Sequence, residues 1–150
     1  MEKIKTIDGI KQAKQEYSNE YNRHITDCGV FWAFDRKQFN ENRTHKRKDL
    51  NEISKMYDNY LAIGGGGYIH KKDKEKLDNF LTNIAPKLKQ DFLSRVDKNA
   101  FILYELLNHE AFYTYELDET LDTMRNYYPD ITEETITKVF KKHANKYADF

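Results

Sequence analysis

The stretch Phe101-Ile102-Leu103-Tyr104-Glu105-Leu106-Leu107, continued by Asn108-His109-Glu110-Ala111-Phe112-Tyr113, decides how this chain folds. Wound as a helix, its apolar side chains point in every direction, with only Glu105 interrupting. A helix that is apolar all round has no solvent face and must be covered by neighbours. Asp97 precedes it and can accept a hydrogen bond from an early backbone N–H, which starts the helix. At about 1.5 Å per residue the run is too short to cross a bilayer. It reads as the buried central helix of a water-facing domain, spanning 98–110, with His109 and Glu110 as the polar residues nearest the core.

Working outward toward the N-terminus, Asp73 is placed to cap a helix carrying Leu77, Phe80, Leu81, Ile84, Leu88, Phe92 and Val96. The pattern keeps phase across Pro86, so a kink or tight break is expected there and not a loop. Before it, Tyr60–Ile63 and Tyr68–His70 flank Gly64, Gly65, Gly66 and Gly67. Glycine enters positive φ without steric cost, and the arrangement predicts a β-hairpin with a glycine turn. Val30–Phe34 is a β-branched and aromatic run that suits a third strand, since a lone hairpin is marginal. Asp35 and Gln38 have capping-box spacing for a short helix to about Asn42, and Leu50, Ile53, Met56, Tyr57 and Tyr60 keep helical spacing. Thr6 can cap a first helix through Ile7, Ile10, Tyr17 and Tyr21 to about His24, broken by Cys28-Gly29.

Toward the C-terminus, Thr114 is expected to start a helix with Leu117, Leu121, Met124 and Tyr128 on one side, closed by Pro129-Asp130. Thr132 caps the last helix, with Ile131 and Ile136 as a hydrophobic staple and Glu133 and Glu134 in the positive first turn. The predicted fold is a single compact α+β domain over 1–150. It is mainly helical, with a small antiparallel hairpin or three-stranded sheet from 30–34, 60–63 and 68–70, and a helical bundle around 98–110.

The composition supports folding. A third of the residues are charged and the mean hydropathy is −0.93, yet eleven Tyr, nine Phe and one Trp supply the bulk that disordered chains lack. One cysteine excludes an intrachain disulfide and a cysteine-based zinc cage, and fits a reducing compartment. The N-terminus lacks an apolar signal core and no run reaches transmembrane length. A cytoplasmic location without membrane association is therefore expected.

The net charge is zero but unevenly spread. Arg36, Lys37, Arg43, Lys46, Arg47 and Lys48 stand against Glu41 in one stretch. In another, Glu105, Glu110, Glu116, Asp118, Glu119, Asp122, Asp130, Glu133 and Glu134 stand against Arg125 alone. Separated signs bear on partners and solubility. The basic residues Arg43, Lys46, Arg47 and Lys48 could touch nucleic-acid phosphates or form a solvated loop. Of the acids, about half suit helix N-termini. The rest leave a negative face, with Glu116, Asp118, Glu119 and Asp122 as its candidates, fit to dock on a basic, nucleic-acid-binding surface of another protein.

No catalytic set, metal site or cofactor motif stands out. The four glycines lack the Lys-Ser or Lys-Thr of a phosphate loop, and Tyr68-Ile69-His70 reads as strand. His109 and Glu110 could act in acid–base chemistry, with His70 as a further candidate, but adjacent helical residues diverge by about 100° and do not pair. At a helix exit the imidazole can instead satisfy terminal carbonyls. His24, Asp27 and Cys28 offer at most part of a metal set. Cys28 could be a nucleophile, or a small buried hydrophobe beside a strand.

Three segments carry a resemblance: Cys28-Gly29-Val30-Phe31-Trp32-Ala33-Phe34, Ile63-Gly64-Gly65-Gly66-Gly67-Tyr68-Ile69, and Leu106-Leu107-Asn108-His109-Glu110-Ala111-Phe112-Tyr113-Thr114. In that order they resemble a group of small uncharacterised proteins of bacteriophages and mobile elements. The likeness implies a phage-borne accessory role, of which anti-defence proteins such as anti-CRISPRs are one kind, and it transfers no catalytic residue. The segment Met124–Glu134 is similar to the Met-Phe-Pro turn of ubiquitin-binding CUE domains. With no room for that fold's third helix, it implies a shared helix-turn-helix solution.

Three functions follow as expectations. The first is a non-enzymatic phage-derived binding protein that inhibits or modulates a host protein, such as a nucleic-acid-binding defence effector. The others are nucleic-acid binding through 43–48 and a small hydrolase or nuclease using His109 and Glu110.

Overall fold

Thr6 accepts the backbone N–H of Gly9 on its hydroxyl (3.0 Å) and opens the first helix, α1 (Ile7–Asp27). In the computed structural model, which describes residues 2–43 and 59–148, ten further α-helices and β-strands follow. They are β1 (Phe31–Trp32), α2 (Arg36–Asn42), β2 (Tyr60–Gly64), β3 (Gly67–His70), α3 (Lys74–Asn79), α4 (Ala85–Arg95), α5 (Lys98–Asn108), α6 (Ala111–Thr114), α7 (Asp118–Arg125) and α8 (Glu133–Tyr147). The fold is mainly helical α+β with one small antiparallel sheet, as the sequence predicts. The described residues group into two compact units, 2–17 with 89–148 and 18–43 with 59–88. The helix expected over 50–57 lies outside the described residues.

In the first unit α5 is the centre. Asp97 accepts the Ala100 N–H (3.0 Å), so the cap read from the sequence is in place. Phe101, Ile102, Leu103 and Leu106 are buried against Ile10 and Ala13 of α1, Phe92 and Val96, Leu121 and Met124 of α7, and Ile136 and Val139 of α8. Burying such side chains stabilises by about 1.5–3 kcal/mol each. The N-terminus contributes more than its sequence suggested. Ile4 pairs beside Val96, donating to the Arg95 carbonyl (2.8 Å) and accepting from Asp97 (2.9 Å). Thr132 caps α8 by accepting the Thr135 N–H, with Ile131 and Ile136 both buried beside that turn.

Two expectations here are corrected. The helix expected over 98–110 stops at Asn108, because Glu110 takes a left-handed backbone (φ 56°) that cannot continue it. Thr114 does not start the next helix. It is the last residue of α6, followed by left-handed Tyr115 (φ 62°), and its hydroxyl accepts the Glu116 N–H (3.2 Å) in a local turn. The apolar positions Leu121 and Met124 still face the core, because α7 keeps the phase read from the sequence.

In the second unit β3 is the central strand, in the order β1-β3-β2. Phe31 pairs with Tyr68 and Trp32 with Gly67, while Tyr60, Leu61 and Ala62 pair with His70, Ile69 and Tyr68. The strand expected over 30–34 is shorter because its partner strand begins at Gly67. Beyond that register the chain turns through Gly65 and Gly66, both at positive φ. One sheet face carries a ring cluster of Phe31, Phe39, Tyr60 and Tyr68, with centroids 5.1–5.9 Å apart. The other covers Val30, Ile69, Leu77, Phe80 and Ile25. Asp35 caps α2 through the Gln38 N–H (2.8 Å), and the Gln38 side chain reaches back one residue further than a capping box would, to the Phe34 N–H (2.9 Å).

Asp73 does not cap α3 with its side chain. The helical run begins earlier, in a 3-10 turn over Lys71–Asp73, where the His70 ring accepts the Lys72 N–H (3.1 Å). Asp73 is buried instead and lies against Gly29, where an added Cβ would come within 2.7 Å of its carboxylate. That close approach and its φ of 99° explain why glycine ends α1. Before Pro86 the helix widens into a π-turn over Phe80–Ile84, which carries the chain past a residue that has no N–H to donate. No described helix is long and apolar enough to cross a membrane.

Candidate functional site

The exit of α5 gathers polar chemistry, beginning with a residue the sequence presented only as an interruption. Glu105 is fully buried (0% exposed) and takes the Lys14 ammonium of α1 at 2.5 Å. Asn108 donates to its other oxygen (3.4 Å), and His109 Nε2 stands 3.5 Å from that same oxygen. A buried carboxylate without such partners would be strongly disfavoured. Lys14 also sits over the Tyr104 ring, 5.5 Å from its centroid. Nearby, burial pushes the Tyr127 phenol up to about 12, with Tyr17, Glu105 and Tyr104 adding to the shift.

His109 joins α5 to α7. Its Nε2 is 2.9 Å from the Thr123 hydroxyl and its Nδ1 is 3.3 Å from the Glu119 carboxylate. Both ring nitrogens are thus engaged, Nδ1 by the Glu119 carboxylate and Nε2 by the Thr123 hydroxyl. The imidazole therefore does not satisfy terminal carbonyls, as one reading of the sequence had it. It also does not pair with Glu110, in keeping with the divergence of adjacent residues. The Glu105–His109 spacing of four residues was a legible signal; the Lys14–Glu105 pair was not. Glu105 at its heart is enclosed, and the cluster is committed to holding α1, α5 and α7 together.

The rim beside it is open. Glu110 and Tyr115, the two non-glycine residues with left-handed backbone among the described residues, bracket the single turn of α6. Between them Tyr113 is 80% exposed, and Tyr115 itself is 53% exposed. Sequence reasoning missed both tyrosines, because they fall where helical periodicity stops. Glu116, Asp118, Glu119 and Asp122 are all exposed, with Asp118 and Glu119 in the first turn of α7. Glu119 holds His109, while no ion pair engages Glu110, Glu116, Asp118 or Asp122 among the described residues. Burial, seconded by Lys142 and Lys146, holds the His143 imidazole on α8 below its ordinary range.

The other sequence candidates lie apart from one another. Gly64, Gly65, Gly66 and Gly67 make the hairpin turn and the start of β3, as expected. His70 is occupied by the Lys72 N–H and packs on Tyr60 (4.9 Å). His24 pairs with Glu20 (3.3 Å) and stacks on Phe80 (5.1 Å), and Asp27 meets Arg23 (3.7 Å). The Cys28 thiol donates to the Lys76 carbonyl (3.6 Å), and burial first, then Asp27, pushes it up, away from the thiolate form. Among the described residues, no three His, Cys, Asp or Glu side chains converge as metal ligands. Arg43 follows α2, donating its N–H to the Phe39 carbonyl (2.9 Å), whereas Lys46, Arg47 and Lys48 lie outside the described residues.

The chain belongs to a family of unknown function, DUF7659, whose sequence profile matches residues 13–146. No curated protein and no solved structure matches it significantly.

Proposed function

We propose that this chain is a non-enzymatic binding protein that docks on a basic surface of a partner protein through the acidic, tyrosine-bearing face of α6 and α7. The observation that carries the reading is the bracket around α6. Two non-glycine residues hold left-handed backbone at a cost of about 1–2 kcal/mol each, and the segment they frame displays Tyr113 and Tyr115 to solvent. Strained backbone of this kind collects at functional positions. Tyrosine is enriched at the energetic centres of protein interfaces, and a rim of one charge sign selects partners of the other and speeds their encounter. Under the phage-borne role implied by the sequence resemblance, the partner would be a host defence protein whose basic surface handles nucleic acid.

The test is affinity capture from a host lysate, run side by side with the wild-type chain and a variant carrying Glu116→Lys, Asp118→Lys, Glu119→Lys and Asp122→Lys. Thermal melting of the variant confirms its fold. The expected result is a basic protein retained by the wild type and lost by the variant. An identical set of retained proteins would remove the acidic face and promote the basic stretch 43–48 as the contact.

A further inference from the structure

Beside the exposed tyrosines a cleft of about 340 Å³ opens between the exit of α5, α6 and the end of α8, lined by Leu107, Glu110, Phe112, Tyr113 and Tyr147. Its walls are aromatic and backed by a stack. Phe112 lies nearly parallel to Phe140 (4.8 Å, 8°) and packs on Tyr147 (5.4 Å, 37°). Phe112 is almost wholly buried, so that wall is set before any partner arrives. Its one carboxylate is Glu110, exposed and without an ion pair among the described residues. The Tyr147 ring already attracts a cation, since the Lys146 ammonium stands 5.1 Å from its centroid.

We infer that this cleft is an anchor pocket for an arginine side chain of the basic partner, an inference that rests on the docking face just proposed and names what that face grips. Tyrosine faces attract cations through the ring quadrupole. A carboxylate beside them takes a guanidinium through paired N–H donors. Arginine fits better than lysine, because its planar, weakly hydrated head stacks on a ring and still donates to the acid. The left-handed backbone of Glu110 is then the device that places the acid at the cleft, where a glycine would satisfy the turn alone.

The experiment uses the full chain and two fluorescein-labelled peptides, Lys-Lys-Gly-Arg-Gly-Lys-Lys and its twin with citrulline in place of arginine, followed by fluorescence anisotropy. Citrulline keeps the shape and removes the charge. The arginine peptide is expected to bind about tenfold tighter than its twin. Glu110→Gln and Tyr113→Ala, checked for unchanged melting, should reduce that preference toward unity. The quadruple lysine variant of the α7 face should weaken both peptides and keep their ratio. Equal binding of the two peptides by the wild type, or a preference that survives Glu110→Gln, would overturn the pocket while leaving the acidic face standing. Failure of both peptides to bind at low salt would overturn the face and the pocket together.

Discussion

The hairpin turn and the α6 bracket both need left-handed backbone, and the chain meets the need in opposite ways. At the turn the positions are Gly64, Gly65 and Gly66, with φ of 92°, 60° and 80°. Around α6 they are Glu110 and Tyr115, with φ of 56° and 62°. Glycine adopts such angles at no steric cost, so the turn answers to geometry alone. A glutamate and a tyrosine at the same angles carry steric strain that glycine would avoid. One region closes a sheet, and the other presents chemistry to solvent.

A third place sharpens the contrast, because Glu105 is a carboxylate wholly spent on the fold. Glu105→Ala leaves the Lys14 ammonium facing a cavity and His109 without one of its acids, and should destabilise by about 3 kcal/mol or more. Chemical denaturation measures this. A loss below 1 kcal/mol would mean that the cluster is not what ties α1 to α5.

At the hairpin, Gly65→Val with Gly66→Val should cost about 1–2 kcal/mol per residue, since β-branched side chains resist positive φ. Gly66 should be the worse of the two singly. An added Cβ there meets the Phe34 ring at 2.9 Å, whereas nothing lies within 4 Å at Gly65. Equal melting of the two single variants would break this reading of the turn.

Glu110→Gly and Tyr115→Gly reverse the sign. Each relieves left-handed strain and gives back part of it as unfolded-chain entropy, for a net gain of about 1 kcal/mol or less. The same variants should bind basic partners less well. Destabilisation by either would show that the side chain serves the fold, as Glu105 does.

Tyr127 adds a smaller, pH-dependent effect. Its phenol moves from 10.0 to about 12 on folding, chiefly through burial. A raised folded value means stability that is complete below pH 10.0 and lost as pH rises toward about 12. Melting followed across that window should fall more steeply for the wild type than for Tyr127→Phe. Parallel curves would contradict the burial of that ring.

What was legible in the sequence was local or periodic. Thr6, Asp35, Asp97 and Thr132 each accept an N–H from a residue three positions on, so a short window reveals them. The apolar run of α5 forced a buried helix, and the glycines forced a turn. Asp73 misled because His70, one turn earlier, had already begun the helix with its ring nitrogen. The Lys14–Glu105 pair joins residues 91 positions apart, and no local pattern announces it. At the site, Glu116, Asp118, Glu119 and Asp122 were legible as charge and are exposed. Tyr113 and Tyr115 were hidden because their exposure follows from two left-handed residues that no propensity favours.

The central claim is that the open rim, and not the enclosed cluster, meets the partner. Asp122 tests it most cleanly, since it is exposed in the body of α7, while Glu119 also holds His109 and Asp118 also faces the helix N-terminus. The measurement is the association rate of the wild type, Asp122→Lys and the quadruple lysine variant with the captured partner, at low and moderate salt. The account predicts a rate that falls with each reversal and a difference that shrinks as salt rises, with melting unchanged for Asp122→Lys. An unchanged association rate in a folded quadruple variant would contradict it.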